Sequence, residues 1–190
     1  MMKVSILEAF CYDSHMKAIL FDRDGTLLVE PSNERVDSES KLVLFDDTIE
    51  ALKLAQDNEF SAIVVTNQAG IAEGLIDEDR FWELESKFEA LLSNEGITIL
   101  KTYMSPHGSN EVNEWRKPGP GMLLQAAKDY NLDLSKTYMV GDRPSDIEAG
   151  IRANAKTILV KTALIDVQAP NATYTAPNLL NAVKYIIENS

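Results

Sequence analysis

The sequence predicts an α/β domain, a Rossmann-like parallel sheet flanked by helices. Three observations predict it. Short apolar runs rich in β-branched residues recur along the chain, segments of helical period stand between them, and polar residues follow directly on the runs. Strands buried on both faces read as continuous apolar runs, and a helix between two of them is the usual parallel crossover.

The elements follow in order. Ala18–Phe21 is a short strand of buried type that ends at Asp22. Asp47 and Thr48 can cap a helix running to about Asp57, with Ile49, Leu52 and Ala55 on one face. Ser61–Thr66 is a second strand, ended by Asn67-Gln68-Ala69-Gly70. Asp77–Ser93 reads as a long amphipathic helix in which Phe81, Leu84, Phe88, Leu91 and Leu92 recur at spacings of three and four. Ile97–Tyr103 is the third strand and Gly121–Tyr130 a helix. Thr137–Val140 is the fourth strand, stopped by Gly141-Asp142, and Ser145–Ala153 is the helix after it. Thr157–Val160 is the fifth strand, and Leu179–Glu188 is the last helix.

Composition narrows the function. The chain of 190 residues carries 18 Lys and Arg against 30 Asp and Glu, a net charge of −12. So acidic a surface argues against a nucleic-acid backbone or an anionic membrane as partner, but allows an anionic small substrate where cations are concentrated locally. A single cysteine, Cys11, excludes an intrachain disulfide framework and a four-cysteine zinc site. No apolar stretch approaches a membrane span. Residues 1–16 are interrupted by Glu8 and Asp13 and read as no export signal, so a cytoplasmic protein is expected. They form an N-terminal extension or a peripheral strand, and 17–190 a single domain. Monomer is the default expectation.

Polar residues gather where ligands bind in open α/β sheets, outside the carboxyl ends of the strands. After the first strand, Asp22-Arg23-Asp24-Gly25-Thr26 sets two carboxylates two residues apart on a tight turn. Carboxylates so close repel, and a divalent cation relieves them; oxygen-only ligands select Mg²⁺. After the second strand, Thr66 and the following backbone N–H groups can take phosphoryl oxygens. Arg116 and Lys117 precede Pro118-Gly119-Pro120-Gly121, a fixed loop opening a helix, and supply the local positive focus. After the fourth strand, Gly141-Asp142-Arg143-Pro144-Ser145-Asp146 repeats the strand-tip carboxylates, although Asp146 also suits a helix N-terminus.

Taken together these motifs resemble the haloacid-dehalogenase (HAD) superfamily, whose phosphatases carry D-x-D-G-T, a strand-end Thr or Ser, a Lys and G-D-x-x-x-D in this order. Asp22-Arg23-Asp24-Gly25-Thr26, Val65-Thr66-Asn67-Gln68-Ala69-Gly70-Ile71-Ala72 and Arg116-Lys117-Pro118 are similar to the heptose-bisphosphate and histidinol-phosphate phosphatase branch. The resemblance implies a Mg²⁺-dependent phosphatase of a small phosphorylated metabolite. A D-glycero-D-manno-heptose 1,7-bisphosphate is the first choice of substrate, with release of the 7-phosphate, and histidinol phosphate is the alternative. A non-catalytic phospholigand-binding protein on the same fold is the alternative of another class.

The resemblance also implies roles. Asp22 attacks phosphorus, Asp24 protonates the leaving oxygen and later activates water, and Thr66 and Lys117 hold the transferring group. Asp22, Asp24 through its carbonyl, and Asp142 hold the metal, with Asp146 in support. Asn67, Gln68 and Arg116 join Thr66 and Lys117 in substrate binding, and the loop Glu30–Asn33 lines the pocket. The branch often carries a cysteine-rich zinc loop before Arg-Lys-Pro. Here that segment keeps only His107, so no zinc is expected and Trp115 and Val112 are expected to order the loop. The 34 residues from Leu27 to Phe60 and the 49 from Asn67 to Trp115 leave no room for a cap domain. Loops Val29–Ser40 and Met104–Trp115 are therefore expected to shape the site. Cys11, His15 and Trp82 read as packing or surface residues.

Overall fold

Ala18–Phe21 has no polar side chain, and in the computed structural model it becomes one of the two central strands, buried along its whole length. The structure describes residues 16–31, 35–111, 113–161 and 167–190. The expectations for residues 1–15, including Cys11 and His15, for Ser32 and Asn33, and for Val112 lie outside them.

The strands are β1 (Ala18–Phe21), β2 (Ser61–Asn67), β3 (Ile99–Ser105), β4 (Tyr138–Gly141), β5 (Lys156–Val160) and β6 (Tyr174–Ala176). All pair in parallel in the order β3-β2-β1-β4-β5-β6, so the chain reverses direction across the sheet between β1 and β4. Ligands bind at such a switch point. The helices are α1 (Thr48–Asp57), α2 (Ala69–Ala72), α3 (Glu78–Asn94), α4 (Gly121–Tyr130), α5 (Pro144–Arg152) and α6 (Leu179–Glu188).

Alternation along the strands divides the core in two. Ile19, Phe21, Val64, Val140 and Ile158 face α1, α3 and α6 through Leu52, Phe88 and Val183. Leu20, Ile63, Val65 and Met139 face α4 and α5 through Met122, Leu123 and Ala149. Each of the fully buried Val, Leu, Ile, Phe and Met side chains among these contributes about 1.5–3 kcal/mol by leaving water. Register does the rest. Phe21 pairs with Val64 on one side and Val140 on the other, so Asp22, Thr66 and Asp142 emerge close together at one edge.

The differences from the sequence reading have local causes. β3 begins at Ile99, because Gly96 turns the chain at a φ of 77° and the Ile97 N–H closes α3 onto the Leu92 carbonyl. Ile97 is still buried, but it is not in the ladder. Leu91 is half-exposed, and Glu85 takes a place on the buried face of α3 instead. β6 and the single turn α2 were not anticipated. Trp82 packs edge-on against Phe81 at 5.0 Å. Among the described residues, the two intervals that could carry a cap hold a 3₁₀ turn at Glu39–Lys41 with α1, and α2 and α3 with β3. No helix there is long and apolar enough to cross a membrane.

Candidate active site

Asp22 continues β1 by one residue, its N–H donating to the Val140 carbonyl at 2.8 Å, and this places it at the carboxyl end of the sheet. Lys117 arrives from the loop before α4. Its ammonium donates to Asp22 Oδ1 at 2.8 Å and to the Val65 carbonyl at 2.7 Å, and lies 2.7 Å from Asp146 Oδ1. An ammonium has three donors, and here each has an oxygen to face. Burial pulls the Lys117 pKa down, but Asp146 and Asp22 outweigh it and hold the group above the usual lysine value.

Asp142 and Asp146 come from the tip of β4 and the first turn of α5. One carboxylate oxygen from each of Asp22, Asp142 and Asp146 lies within 4.8 Å of the others, and all three residues are buried. Burial, followed by the Asp22 and Asp146 charges, pushes the Asp142 carboxyl up to about 8. Burial raises Asp146 to about 6, against the pull of Lys117. The second Asp146 oxygen accepts the Arg143 N–H at 2.9 Å, which closes the start of α5.

Two glycines make the approach possible. Gly25 turns at a φ of +88°, and a Cβ there would stand 2.5 Å from Asp142 Oδ2. A Cβ on Gly141 would strike the Asp146 carboxylate. The donor set fits a hard divalent cation: it offers oxygens only, and Asp142 Oδ2 is buried without a hydrogen-bond partner among the described residues.

Around this centre the remaining expected residues take distinct places. Gln68 Nε2 donates to Asp24 Oδ2 at 2.7 Å and to Thr66 Oγ1 at 2.9 Å, joining the two across the mouth. Asn67 directs both ends of its amide at Lys117, taking the Lys117 N–H at 3.0 Å and donating to its carbonyl at 2.9 Å. Arg116 stands at the wall of an open cleft of about 560 Å³ and donates to the His107 carbonyl at 3.1 Å. Both expected loops line the cleft, the first through Glu30, Arg35 and Val36, the second through Ser109, Glu111 and Glu114. Trp115 orders the second loop by donating to the Met104 carbonyl at 2.9 Å and meeting Tyr103 edge-on.

Three features were missed from sequence. Arg143 pairs with Glu30 across the rim, and Arg35 pairs with Glu73. Arg23, between the two motif aspartates, is wholly buried. Arg143 had a signal in its place between Asp142 and Asp146. Arg23 had the same signal in its place between Asp22 and Asp24 and Arg35 had none, and for all three the partner lies on a distant element that no local pattern names.

The comparisons with known proteins agree with this geometry. The HAD-hydrolase-like family matches residues 114–182. The D-glycero-beta-D-manno-heptose-1,7-bisphosphate 7-phosphatase of Pasteurella multocida is 39% identical over 153 residues, which cover 77% of this chain and 82% of that protein. This chain belongs to the HAD-like hydrolases, in their heptose-bisphosphate phosphatase and HisB phosphatase branch. The histidine biosynthesis bifunctional protein HisB of Spirosoma linguale is 34% identical over 145 residues, covering 75% of this HAD-superfamily phosphatase and 38% of that longer protein. Among solved structures, the D,D-heptose 1,7-bisphosphate phosphatase of B. bronchiseptica, complexed with magnesium and phosphate, superposes at a TM-score of 0.84. It is 27% identical, over 92% of this chain and all of that one (100%).

Proposed function

We propose that this HAD-superfamily phosphatase removes the 7-phosphate of a D-glycero-D-manno-heptose 1,7-bisphosphate, with 17–190 as one catalytic domain. The relatives that carry this activity in their names support the choice of substrate. The observation that carries the chemistry is the convergence of Asp22, Asp142 and Asp146 on a space of one ion, with Lys117 pinned between Asp22 and Asp146.

An Asp22 oxygen forms a bond to phosphorus as the ester P–O bond breaks, and the Asp24 proton passes to the leaving alkoxide. Asp24, now a carboxylate, takes a proton from water as that water attacks the acyl phosphate, returning Asp22 and inorganic phosphate. A positioned acid and base is worth about 10²–10⁴-fold. Lys117, Thr66 and backbone N–H groups neutralise the phosphoryl oxygens, while Gln68 and Arg116 orient the sugar phosphate. We assign Mg²⁺ to Asp22, Asp142 and the Asp24 carbonyl, with Asp146 orienting Lys117. When bound, the cation supplies charge neutralisation for the transferring group. The reading includes no zinc, since Ser105–Trp115 holds one His and no Cys while a structural zinc takes four ligands.

The HisB relative favours histidinol phosphate as a second reading. Phosphate release from both compounds in the presence of Mg²⁺ separates them, with Asp22→Asn as the inactive control. The expected result is a higher kcat/KM on the heptose bisphosphate, with one phosphate released per molecule. Equal low turnover on both would overturn the assignment.

A further inference from the structure

Arg23 stands between Asp22 and Asp24 in the chain, yet its side chain reaches no solvent. A guanidinium has five N–H donors and no acceptor, and a buried cation needs compensation. Its Nε, Nη1 and Nη2 make no hydrogen bond with a described residue. Charge and a ring hold it instead. Glu85 Oε2 lies 3.5 Å from Nη1, Asp24 Oδ1 lies 3.4 Å from Nε, and the Phe81 ring centre lies 5.0 Å from Cζ. Glu85 is buried on α3 and is itself fixed by Thr102 of β3, whose hydroxyl donates to Glu85 Oε1 at 2.6 Å.

One line of contacts thus runs from β3 through α3 to one oxygen of Asp24, while Gln68 holds the other oxygen. An apolar side chain could fill the same space without the desolvation penalty of a buried ion pair. What the guanidinium adds is a fixed charge facing Asp24. A misplacement of about 1 Å in a reacting group can cost about 10²-fold in rate.

We propose that Arg23 is a positioning residue for Asp24, set from behind by Glu85 and Thr102. The proposal rests on the reading of Asp24 as the acid of the first step. kcat/KM reports the steps up to formation of the aspartyl-phosphate. An alkoxide leaving group needs the Asp24 proton there, whereas p-nitrophenolate leaves with little help.

The test compares kcat/KM on the heptose bisphosphate and on p-nitrophenyl phosphate. Arg23→Lys and Glu85→Gln are expected to lose about 10- to 100-fold on the alkyl phosphate and under about threefold on the aryl one. Inhibition by inorganic phosphate should not change. Thr102→Val removes one hydrogen bond at similar volume and should shift the ratio the same way by less, which decides the matter if the other two variants do not fold. Equal losses on both substrates, or no loss in folded variants, would overturn the proposal. Failure of the site reading looks different. An inactive wild-type protein, or an Asp24→Asn variant that does not discriminate between the substrates, overturns that reading and the proposal with it.

Discussion

Lys117 Nζ lies 2.8 Å from Asp22 Oδ1 although 95 residues separate the two in the chain. The same ammonium meets Val65 and Asp146, so one side chain ties the tips of β1 and β2 to the start of α5. Its position is fixed before any substrate arrives, and preorganised charge of this kind needs no rearrangement during reaction.

Lys117→Met removes that pin at similar length. Asp22 and Asp146 then lose their shared cation inside the protein, and breaking a buried pair typically costs about 3–5 kcal/mol. The expected outcome is a fall in the urea midpoint together with a loss of about 10²–10³-fold in kcat. Denaturation and phosphate release measured on one preparation check both. An unchanged midpoint would show that the pair carries no stability.

Gly141 tests the metal cradle by steric means alone. A methyl group there would collide with the Asp146 carboxylate and so displace the side chain that faces Lys117 and the ion space. Gly141→Ala is expected to weaken Mg²⁺ binding by about 10–100-fold, the range for a disturbed ligand support. Titration calorimetry with Mg²⁺ reads the affinity, and far-UV circular dichroism should remain that of the wild type.

What could be read from sequence followed the distance between partners. The tips of β1 and β4 were legible because an apolar run stops abruptly at Asp22 and at Gly141-Asp142. β6 was not, since Tyr174-Thr175-Ala176 is three residues long and alternates at an edge rather than forming an apolar run. Asn67 lines the cleft, as its expected place beside substrate requires, but its amide also bonds the backbone of Lys117, 50 residues away, which no local pattern announces. Arg23 misleads for the opposite reason. A charged residue beside a turn is ordinarily solvated, and this one is buried where Glu85 and the Phe81 ring arrive from α3 to face it beside Asp24.

If Asn67 serves the site by holding Lys117, its removal has a defined signature. Asn67→Ala removes two hydrogen bonds to the Lys117 peptide groups, and leaving such buried groups unpaired costs about 1–3 kcal/mol each. The expected signature is a lower kcat with little change in KM. A variant whose KM rises while kcat is kept would instead place the amide on the substrate.

The carboxylate cluster makes stability depend on pH in the direction opposite to an ordinary ion pair. Asp142 has an unfolded value near 3.8 and a folded value raised to about 8, first by burial and then by the Asp22 and Asp146 charges. Asp146 is raised in the same sense, to about 6. Between about pH 4 and pH 8 the folded protein therefore holds protons that the unfolded chain has released. Metal-free protein is expected to lose stability as pH rises through that window. A bound divalent cation removes the repulsion, so the stabilisation that Mg²⁺ confers should grow as the carboxylates deprotonate. Urea midpoints at pH 5.5 and pH 8.5, with EDTA or with Mg²⁺, measure this directly. The gap between the two conditions is expected to widen at the higher pH in the wild type and to shrink in Asp142→Asn, which removes the most strongly raised carboxyl. A gap independent of pH would mean that these carboxylates do not share an ion.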